Sequence, residues 1–201
     1  MKRESFDCIV LGAGPAGSAA AALVAEAGLR TLLVERDSMP RFHVGESLMP
    51  ETYWPLQRLG VLDRLKKSRH TKKHSVQFVN HQGRDSEPFY FHKHDPRECS
   101  QTWQVMRGDF DQMLFENAAE KGADCRDNTR VAEVLFEGTS KRSKGVRLVG
   151  QDGQTSEAEA AVIMDATGQQ SLIASRLGIR RENPHMRKGA IWTYYRGAHR
   201  G

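Results

Sequence analysis

The chain has 201 residues, of which 38% are hydrophobic, 27% charged and 7% aromatic, with 18 Gly and only 3 Cys. This composition is typical of a globular domain and excludes a disulfide-stapled miniprotein, a collagen and a long disordered tail. Lys and Arg outnumber Asp and Glu by 30 to 25, and the net charge of +5 is spread along the sequence, which favours small anionic ligands.

The cysteines and the apolar segments indicate a reducing, cytoplasmic environment. The cysteines are odd in number and form no C-x-x-C pair, so we expect neither a disulfide framework nor a zinc knuckle. The longest apolar stretch, residues 19–25, is far shorter than the roughly 20 residues of a membrane span, and no signal-peptide pattern is present. We therefore expect a cytoplasmic protein without a membrane span.

The first 35 residues have the pattern of a βαβ unit. Residues 6–11 are a short apolar run that predicts a buried strand, and residues 31–35 predict a second one. Between them, residues 15–27 predict an Ala-rich helix that begins with Pro and is followed by Gly. A right-handed crossover makes the two strands parallel.

Strands and helices continue to alternate around a less regular middle. After a loop at residues 40–50 the predicted order is helix 51–65, strands 75–79, 88–91 and 102–106, helix 109–121, strands 130–137, 145–149, 155–159 and 161–166, and helix 170–177. The strands over 130–159 predict a β-meander. Residues 188–195 alternate like a further strand, so we expect the natural chain to continue past Gly201.

A glycine-rich turn carries the first functional signal. Gly12, Gly14 and Gly17 lie between the first strand and the helix, and Glu35 ends the second strand. In this arrangement the glycines allow a tight turn, close approach of a pyrophosphate and close helix packing, and the acid accepts ribose hydroxyls. The pattern predicts dinucleotide binding and leaves FAD and NAD open. Glu35 argues against a 2′-phosphate, because two anions would repel each other.

Four segments spread over residues 7–177 carry a family resemblance. They are Gly12-Ala-Gly-Pro-Ala-Gly17, Pro40-Arg-Phe-His-Val-Gly-Glu-Ser-Leu-Met-Pro50, Val105-Met-Arg-Gly-Asp-Phe-Asp111 and Asp165-Ala-Thr-Gly168. Together they resemble the flavin-dependent halogenases, a family within the FAD monooxygenases and geranylgeranyl-type reductases. The resemblance implies an α/β fold, a Rossmann-type FAD-binding domain of the glutathione-reductase kind, with an inserted β-meander. It places the FAD-binding domain at residues 1–183 and the beginning of a substrate domain at 184–201.

The resemblance also implies which residues bind FAD. They are Gly12, Gly14, Pro15, Ala16, Gly17, Glu35, Arg36, Arg41, Gly45, Glu46, Ser47, Arg107, Val131, Asp165 and Gly168. Gly45, Glu46 and Ser47 match the family's mobile cover beside the flavin. For Asp165 and Ser47 a helix cap is the alternative, and for Arg107 it is a surface position at a helix start.

In related halogenases, reduced flavin and O2 oxidise a halide, and a lysine carries the hypohalous species toward an aromatic ring. The matching segment here is residues 71–75, in which Lys73 aligns with that lysine and Lys72 stays an alternative. A lysine suits this role because its amine must be uncharged part of the time, and burial lowers its pKa. The resemblance thus implies an FAD-dependent oxidoreductase acting on an organic, aromatic substrate. A separate flavin reductase or NAD(P)H would supply the electrons.

Two departures from the family keep other functions open. The family's Trp-x-Trp-x-Ile-Pro segment is absent, because Trp54, Trp103 and Trp192 are the only tryptophans. The group's second flavin motif, which normally lies well beyond residue 201, is also missing. A hydroxylase or a double-bond-saturating reductase is therefore the enzymatic alternative, and a non-catalytic dinucleotide-binding module is the alternative from another class.

Two further clusters predict no site. His92 and His94 have no clear third ligand beside them, so we expect no metal centre. The basic residues between 64 and 73 have no aromatic residues among them, which is typical of a solvated helix end and not of a nucleic-acid interface.

Overall fold

The computed structural model describes residues 2–186, 189, 191–194 and 196–197, which contain both strands and helices. The strands are β1 (Lys2–Leu11), β2 (Thr31–Val34), β3 (Thr71–Lys73), β4 (Ser75–Val76), β5 (Phe89–Tyr90), β6 (Thr102–Gln104), β7 (Asp124–Arg126), β8 (Arg130–Phe136), β9 (Ser143–Val149) and β10 (Thr155–Asp165). The α-helices are α1 (Pro15–Glu26), α2 (Tyr53–Leu59), α3 (Leu62–Lys66), α4 (Phe91–His94), α5 (Arg107–Glu120) and α6 (Leu172–Arg176). Short 3₁₀ turns span Pro50–Thr52, Glu98–Ser100, Gly168–Gln170 and Pro184–Met186.

Six strands form the central sheet, in the order β7-β2-β1-β10-β9-β8. β1 pairs in parallel with β2 and β10, and β2 pairs in parallel with β7. β9 pairs antiparallel with both β10 and β8. The predicted parallel βαβ unit and the predicted β-meander are therefore confirmed, and the meander extends the same sheet. The remaining strands form two small antiparallel pairs, β3 with β6 and β4 with β5.

The central strand β1 is buried on both faces, as its continuous apolar run predicts. Val10 packs with Ala21 and Ala22 of α1 in one core cluster, whereas Ile9 and Leu11 belong to a second cluster on the opposite face. This division follows from the alternation of side chains along a strand. The small side chains of α1 let the helix lie close to the sheet, which brings its N-terminus to the end of β1.

One long strand replaces two predicted strands. The separate strands predicted at 155–159 and 161–166 are wrong, because β10 runs unbroken to Asp165. No turn residue divides its halves, and β1 pairs with β10 from Ser156 to Asp165. β9 pairs with β10 only as far as Glu159. In the described part of the chain, the second half of β10 therefore has a neighbouring strand on one edge only.

Two predicted helices are interrupted by residues with positive φ. The helix predicted at 51–65 is divided into α2 and α3 by Gly60, whose φ is 79°. The helix predicted at 170–177 begins only at Leu172, because Ser171 has a φ of 44°. Among the helices of the described residues, none is both long enough and apolar enough to cross a membrane.

Short elements account for the other differences from the sequence patterns. β3, α4 and β7 have no counterpart among the predicted elements, and each is only three or four residues long. Such segments are too short to show a periodic pattern. The strand predicted at 188–195 lies partly outside the described residues, and residues 189 and 191–194, which are described, do not form a strand.

One of the two buried leucines of β2 provides a test of this core. Leu33 is completely buried, whereas Leu29 is 48% exposed just before the strand. We expect Leu33→Ala to lower the free energy of unfolding by about 2–5 kcal/mol, because it removes buried methyl groups and leaves a cavity. Leu29→Ala, the matched control, should change it by less than about 1 kcal/mol. Urea denaturation measures both, and equal losses for the two variants would contradict the described burial.

Candidate cofactor site

The turn after β1 is built from backbone segments that nearly touch. Gly12 has a φ of 96°, and a Cβ added to it would lie 2.8 Å from the carbonyl oxygen of Ala166. A Cβ added to Gly17 would lie 1.9 Å from the carbonyl oxygen of Gly12. A side chain is therefore sterically excluded at both positions, where the turn meets α1 and the end of β10.

Gly14 differs, because the space beside it is open. A Cβ on Gly14 would meet only the Nη2 atom of Arg41, at 3.6 Å, and its φ of −70° is accessible to any residue. No side chain caps α1, which has Pro15 in its first turn and Ala16 exposed. The first amides of this helix are thus available to an anion. An open cradle beside Gly14 and unused amides fit the diphosphate of a dinucleotide.

Glu35 lies under this turn and is only 6% exposed. Its Oε2 atom accepts a hydrogen bond from the Ala13 amide at 2.9 Å, and its Oε1 atom accepts one from the Asp37 amide at 3.2 Å. The carboxylate therefore fastens the turn to the end of β2, a task that the motif alone does not reveal. Each carboxylate oxygen can accept more than one hydrogen bond, so ribose hydroxyls can also bind there.

Four charged side chains continue from Glu35 toward the loop of residues 40–50, which we call the cover loop. The Nε atom of Arg41 lies 3.2 Å from Glu35 Oε2, and its Nη1 atom lies 3.2 Å from Asp111 Oδ2. Asp111 is fully buried and accepts two hydrogen bonds from Arg107, at 2.8 and 2.9 Å. Arg107 also donates to the carbonyl oxygens of Val44 and Gly45, at 3.1 and 3.3 Å. We call Glu35, Arg41, Asp111 and Arg107 the buried ion cluster.

The buried ion cluster contains one hydrogen-bond donor, on Arg41, that has no acceptor among the described residues. Although Arg41 Nη1 is close to Asp111, it is buried and has no hydrogen-bond partner in the described part of the chain, which suits a further oxygen ligand. Burial, followed by the neighbouring guanidinium groups of Arg107 and Arg41, lowers the pKa of His43, so this imidazole is uncharged near neutral pH. Sequence analysis missed Asp111 and His43. The spacing of Arg107 and Asp111 on α5, four residues apart, was the available signal for Asp111.

The cover loop pairs with β6 through an isolated antiparallel β-bridge. The Val105 amide donates to the Glu46 carbonyl at 2.8 Å, and the Leu48 amide donates to the Trp103 carbonyl at 3.0 Å. Ser47 lies opposite Gln104 in an antiparallel bridge. The alternative of Ser47 as a helix cap is not observed, because the following 3₁₀ turn has no side-chain cap.

Lys73 reaches this loop from β3. Its Nζ atom donates to the Ser47 hydroxyl at 2.6 Å and lies 5.5 Å from the centre of the Phe91 ring. Burial lowers the pKa of Lys73 below that of an ordinary lysine. Lys72 pairs opposite Trp103 and, as the next residue along the strand, points to the other face. The structure thus brings only Lys73 of the two candidates to the cover loop.

Other predicted site residues lie at different places around the sheet. The Asp165 carboxylate accepts from the amides of Thr167 at 3.1 Å and Ile173 at 2.7 Å, so the helix-cap alternative describes its contacts. Arg36 is exposed beside Asp37. Val131 follows Thr129, whose amide donates to the Glu35 carbonyl at 2.8 Å.

Two cavities bring parts of the predicted site together. An apolar cavity of about 160 Å³ has Pro15, Gly45 and Arg107 in its wall, so the start of α1, the cover loop and α5 meet there. A second cavity of about 350 Å³ is lined by Asp165 and Gly168 at the end of β10. The first cavity, next to the glycine turn and the buried ion cluster, forms the candidate cofactor site.

A parallel βαβ unit with this turn and this buried acid defines a dinucleotide-binding domain. Residues 5–193 match the family model described as an FAD binding domain. The chain belongs to this family, its cofactor is FAD, and its sequence is similar to flavin-dependent halogenases.

Three similar proteins illustrate the relationship. A chlorinase of 1H-pyrrole-2-carbonyl-(peptidyl-carrier protein) from Pseudomonas fluorescens is 30% identical, and the match covers 97% of this chain and 46% of that protein. The structure of a myxobacterial chondrochloren halogenase is 39% identical with a TM-score of 0.76, covering 83% of this chain and 38% of that one. A flavoprotein/dehydrogenase structure from Cytophaga hutchinsonii is 35% identical with a TM-score of 0.78, covering 87% and 42%. The chain spans less than half the length of each.

Two glycine variants separate cofactor contact from folding. Gly14→Ala should leave the melting temperature of the cofactor-free protein unchanged, because the methyl group has space, and should weaken FAD binding at least about tenfold by occupying the cradle. Gly17→Ala should lower that melting temperature, because its methyl group meets the Gly12 backbone. Thermal denaturation and fluorescence titration with FAD measure these effects. Undiminished FAD affinity in a folded Gly14→Ala protein would contradict the assignment of the cradle.

Proposed function

We propose that the protein is an FAD-dependent halogenase that uses reduced flavin and O2 to halogenate an organic, aromatic substrate. The observation that carries this proposal is the position of Lys73, whose Nζ atom lies 2.6 Å from Ser47 of the cover loop. A lysine that is partly desolvated beside the loop of a flavin site is suited to carry a halogen.

Different residues of the candidate site would bind different parts of FAD. The amides at the start of α1 would hold the diphosphate, Glu35 would bind the adenosine ribose, and Arg107 and Arg41 would face the remaining polar groups of FAD. When bound and reduced, FAD would supply two of the four electrons that O2 accepts; the halide supplies the other two and becomes hypohalous acid, and the second oxygen atom leaves as water. The protein contributes binding, orientation and the exclusion of water.

Lys73 performs the transfer in its neutral form. The amine attacks the halogen of hypohalous acid, so that an N–X bond forms, the O–X bond breaks, and one amine proton leaves with the hydroxide as water. An aromatic carbon then takes the halogen, the ring loses a proton, and the amine is regenerated. The lowered pKa of Lys73 enlarges the neutral fraction near pH 7.

The proposal includes a domain division and a cellular setting. Residues 1–183 form the FAD-binding domain, and 184–201 begin the substrate domain; in support, Trp192 packs on Phe42 of the cover loop at 5.4 Å between ring centres. Electrons come from a separate flavin reductase or from NAD(P)H. The three cysteines are free thiols, which suits a reducing cytoplasm.

FAD retention tests the cofactor assignment. The purified protein should stay yellow after a desalting column and release FAD on denaturation, because the diphosphate and the ribose are both held. Absorbance spectra and chromatography of the released ligand measure this. Colourless protein that binds ADP weakly and takes up no added FAD would favour a non-catalytic nucleotide-binding module.

Lys73→Ala tests the halogen carrier. Reduced, FAD-loaded protein is mixed with O2 and bromide in buffer containing taurine, which traps released hypobromous acid. After gel filtration, thionitrobenzoate measures the oxidant that remains on the protein. Wild type should retain oxidant and Lys73→Ala should not, although its flavin reoxidises at the same rate.

Lys72→Ala is the matched control, because its side chain points away from the cover loop, and it should behave like wild type. Oxidant retained in full by Lys73→Ala would remove this lysine from the mechanism. Such a result would favour a hydroxylase or a reductase.

A further inference from the structure

The cover loop, β6 and β3 lie side by side and form a small ladder, with β6 in the middle. β3 pairs with one edge of β6, placing Lys73 opposite Thr102. The cover loop pairs with the other edge, placing Ser47 opposite Gln104. Since paired residues share a face, as do residues two apart on one strand, Lys73 and Ser47 project from the same face of the ladder.

A lysine and a serine suit this geometry. Two strand spacings of about 4.8 Å separate β3 from the cover loop, so only a long side chain can cross β6. The Lys73 side chain crosses it and ends 2.6 Å from the short Ser47 hydroxyl. The backbone hydrogen bonds on both sides of Ser47, at 2.8 and 3.0 Å, fix the position of that hydroxyl.

We propose that Ser47 is a positioning residue that orients the amine of Lys73 and couples it to the cover loop. This inference rests on the proposed function of Lys73 as halogen carrier. The serine oxygen accepts a hydrogen bond from one N–H group of the neutral amine. This contact directs the remaining N–H bond and the nitrogen lone pair toward the side from which a halogen arrives. Displacement of the cover loop would release that orientation.

The charged residues near Lys73 are not the cause of its lowered pKa. Glu46, the carboxylate next to Ser47, accepts a hydrogen bond from the Tyr194 hydroxyl at 2.5 Å. The other ionisable residues of the adjoining segments are basic, namely Lys72 and His74 beside Lys73 in the chain, and His92, Lys93 and His94 on the helix that carries Phe91. For Lys73 itself, burial is the cause of its lowered pKa.

The hydrogen bond to Ser47 and the burial of Lys73 act on the pKa of this lysine in opposite directions. A hydrogen bond accepted from the ammonium stabilises the charged form and so raises the pKa, which opposes the effect of burial. Removing the Ser47 hydroxyl should therefore lower the pKa of Lys73 further. Because the neutral amine reacts, the yield of protein-bound oxidant rises with pH through this pKa, and its midpoint should move to lower pH.

The first measurement does not depend on halogenation. In FAD-loaded protein labelled with ¹³C at the lysine ε-carbons, NMR titration gives the pKa of Lys73, with Lys73→Arg identifying the signal. Ser47→Ala should lower this pKa, whereas Ser47→Thr, which keeps a hydroxyl, should leave it near the wild-type value. Ser140→Ala, in an exposed turn remote from the ladder, is the control and should also leave it unchanged. If Ser47→Ala does not fold, the near-isosteric Ser47→Cys should show the same decrease, because a thiol is a weak acceptor.

The second measurement is the single-turnover yield of protein-bound oxidant with bromide. We expect Ser47→Ala to reduce it about tenfold through misorientation of the amine and to shift its midpoint to lower pH. A wild-type pKa and a wild-type yield in Ser47→Ala would overturn the inference. Oxidant retained by Lys73→Ala would instead overturn the proposed function, so the two failures are distinguishable.

Discussion

Four charged side chains that are almost completely buried connect the end of β2, the cover loop and α5. Glu35 follows β2, Arg41 belongs to the cover loop, and Asp111 and Arg107 lie on α5. Each charge has an opposite charge beside it, which buried ions require. Removing one member of a buried ion pair lowers the free energy of unfolding by about 3–5 kcal/mol. The buried ion cluster therefore fixes the dinucleotide turn and the cover loop relative to one another.

The cover loop consequently has a different contact on each side. On one side Arg107 holds the carbonyl oxygens of Val44 and Gly45, next to the start of α1. On the other side Ser47 receives the side chain of Lys73. The cofactor site and the proposed halogen carrier are thus separated by one short segment of chain, through which a change at either position can reach the other.

Much of the fold could be predicted from local sequence. The βαβ unit was readable because its apolar runs, its glycines and Glu35 occur within 35 residues. The buried ion cluster could not be predicted in this way, because Asp111 lies in an ordinary helical pattern, and its partner Arg41 comes from a loop 70 residues earlier. The contact between Lys73 and Ser47 was equally hidden, since it depends on β3 and the cover loop pairing with opposite edges of β6. Long-range pairing of short strands leaves no periodic signal.

The most direct test is a crystal structure of the protein with bound FAD. We expect the diphosphate to lie against the amides at the start of α1, beside Gly14, and the adenosine ribose to be hydrogen-bonded to a buried Glu35. A diphosphate located elsewhere, or a Glu35 carboxylate turned out to solvent, would contradict this expectation.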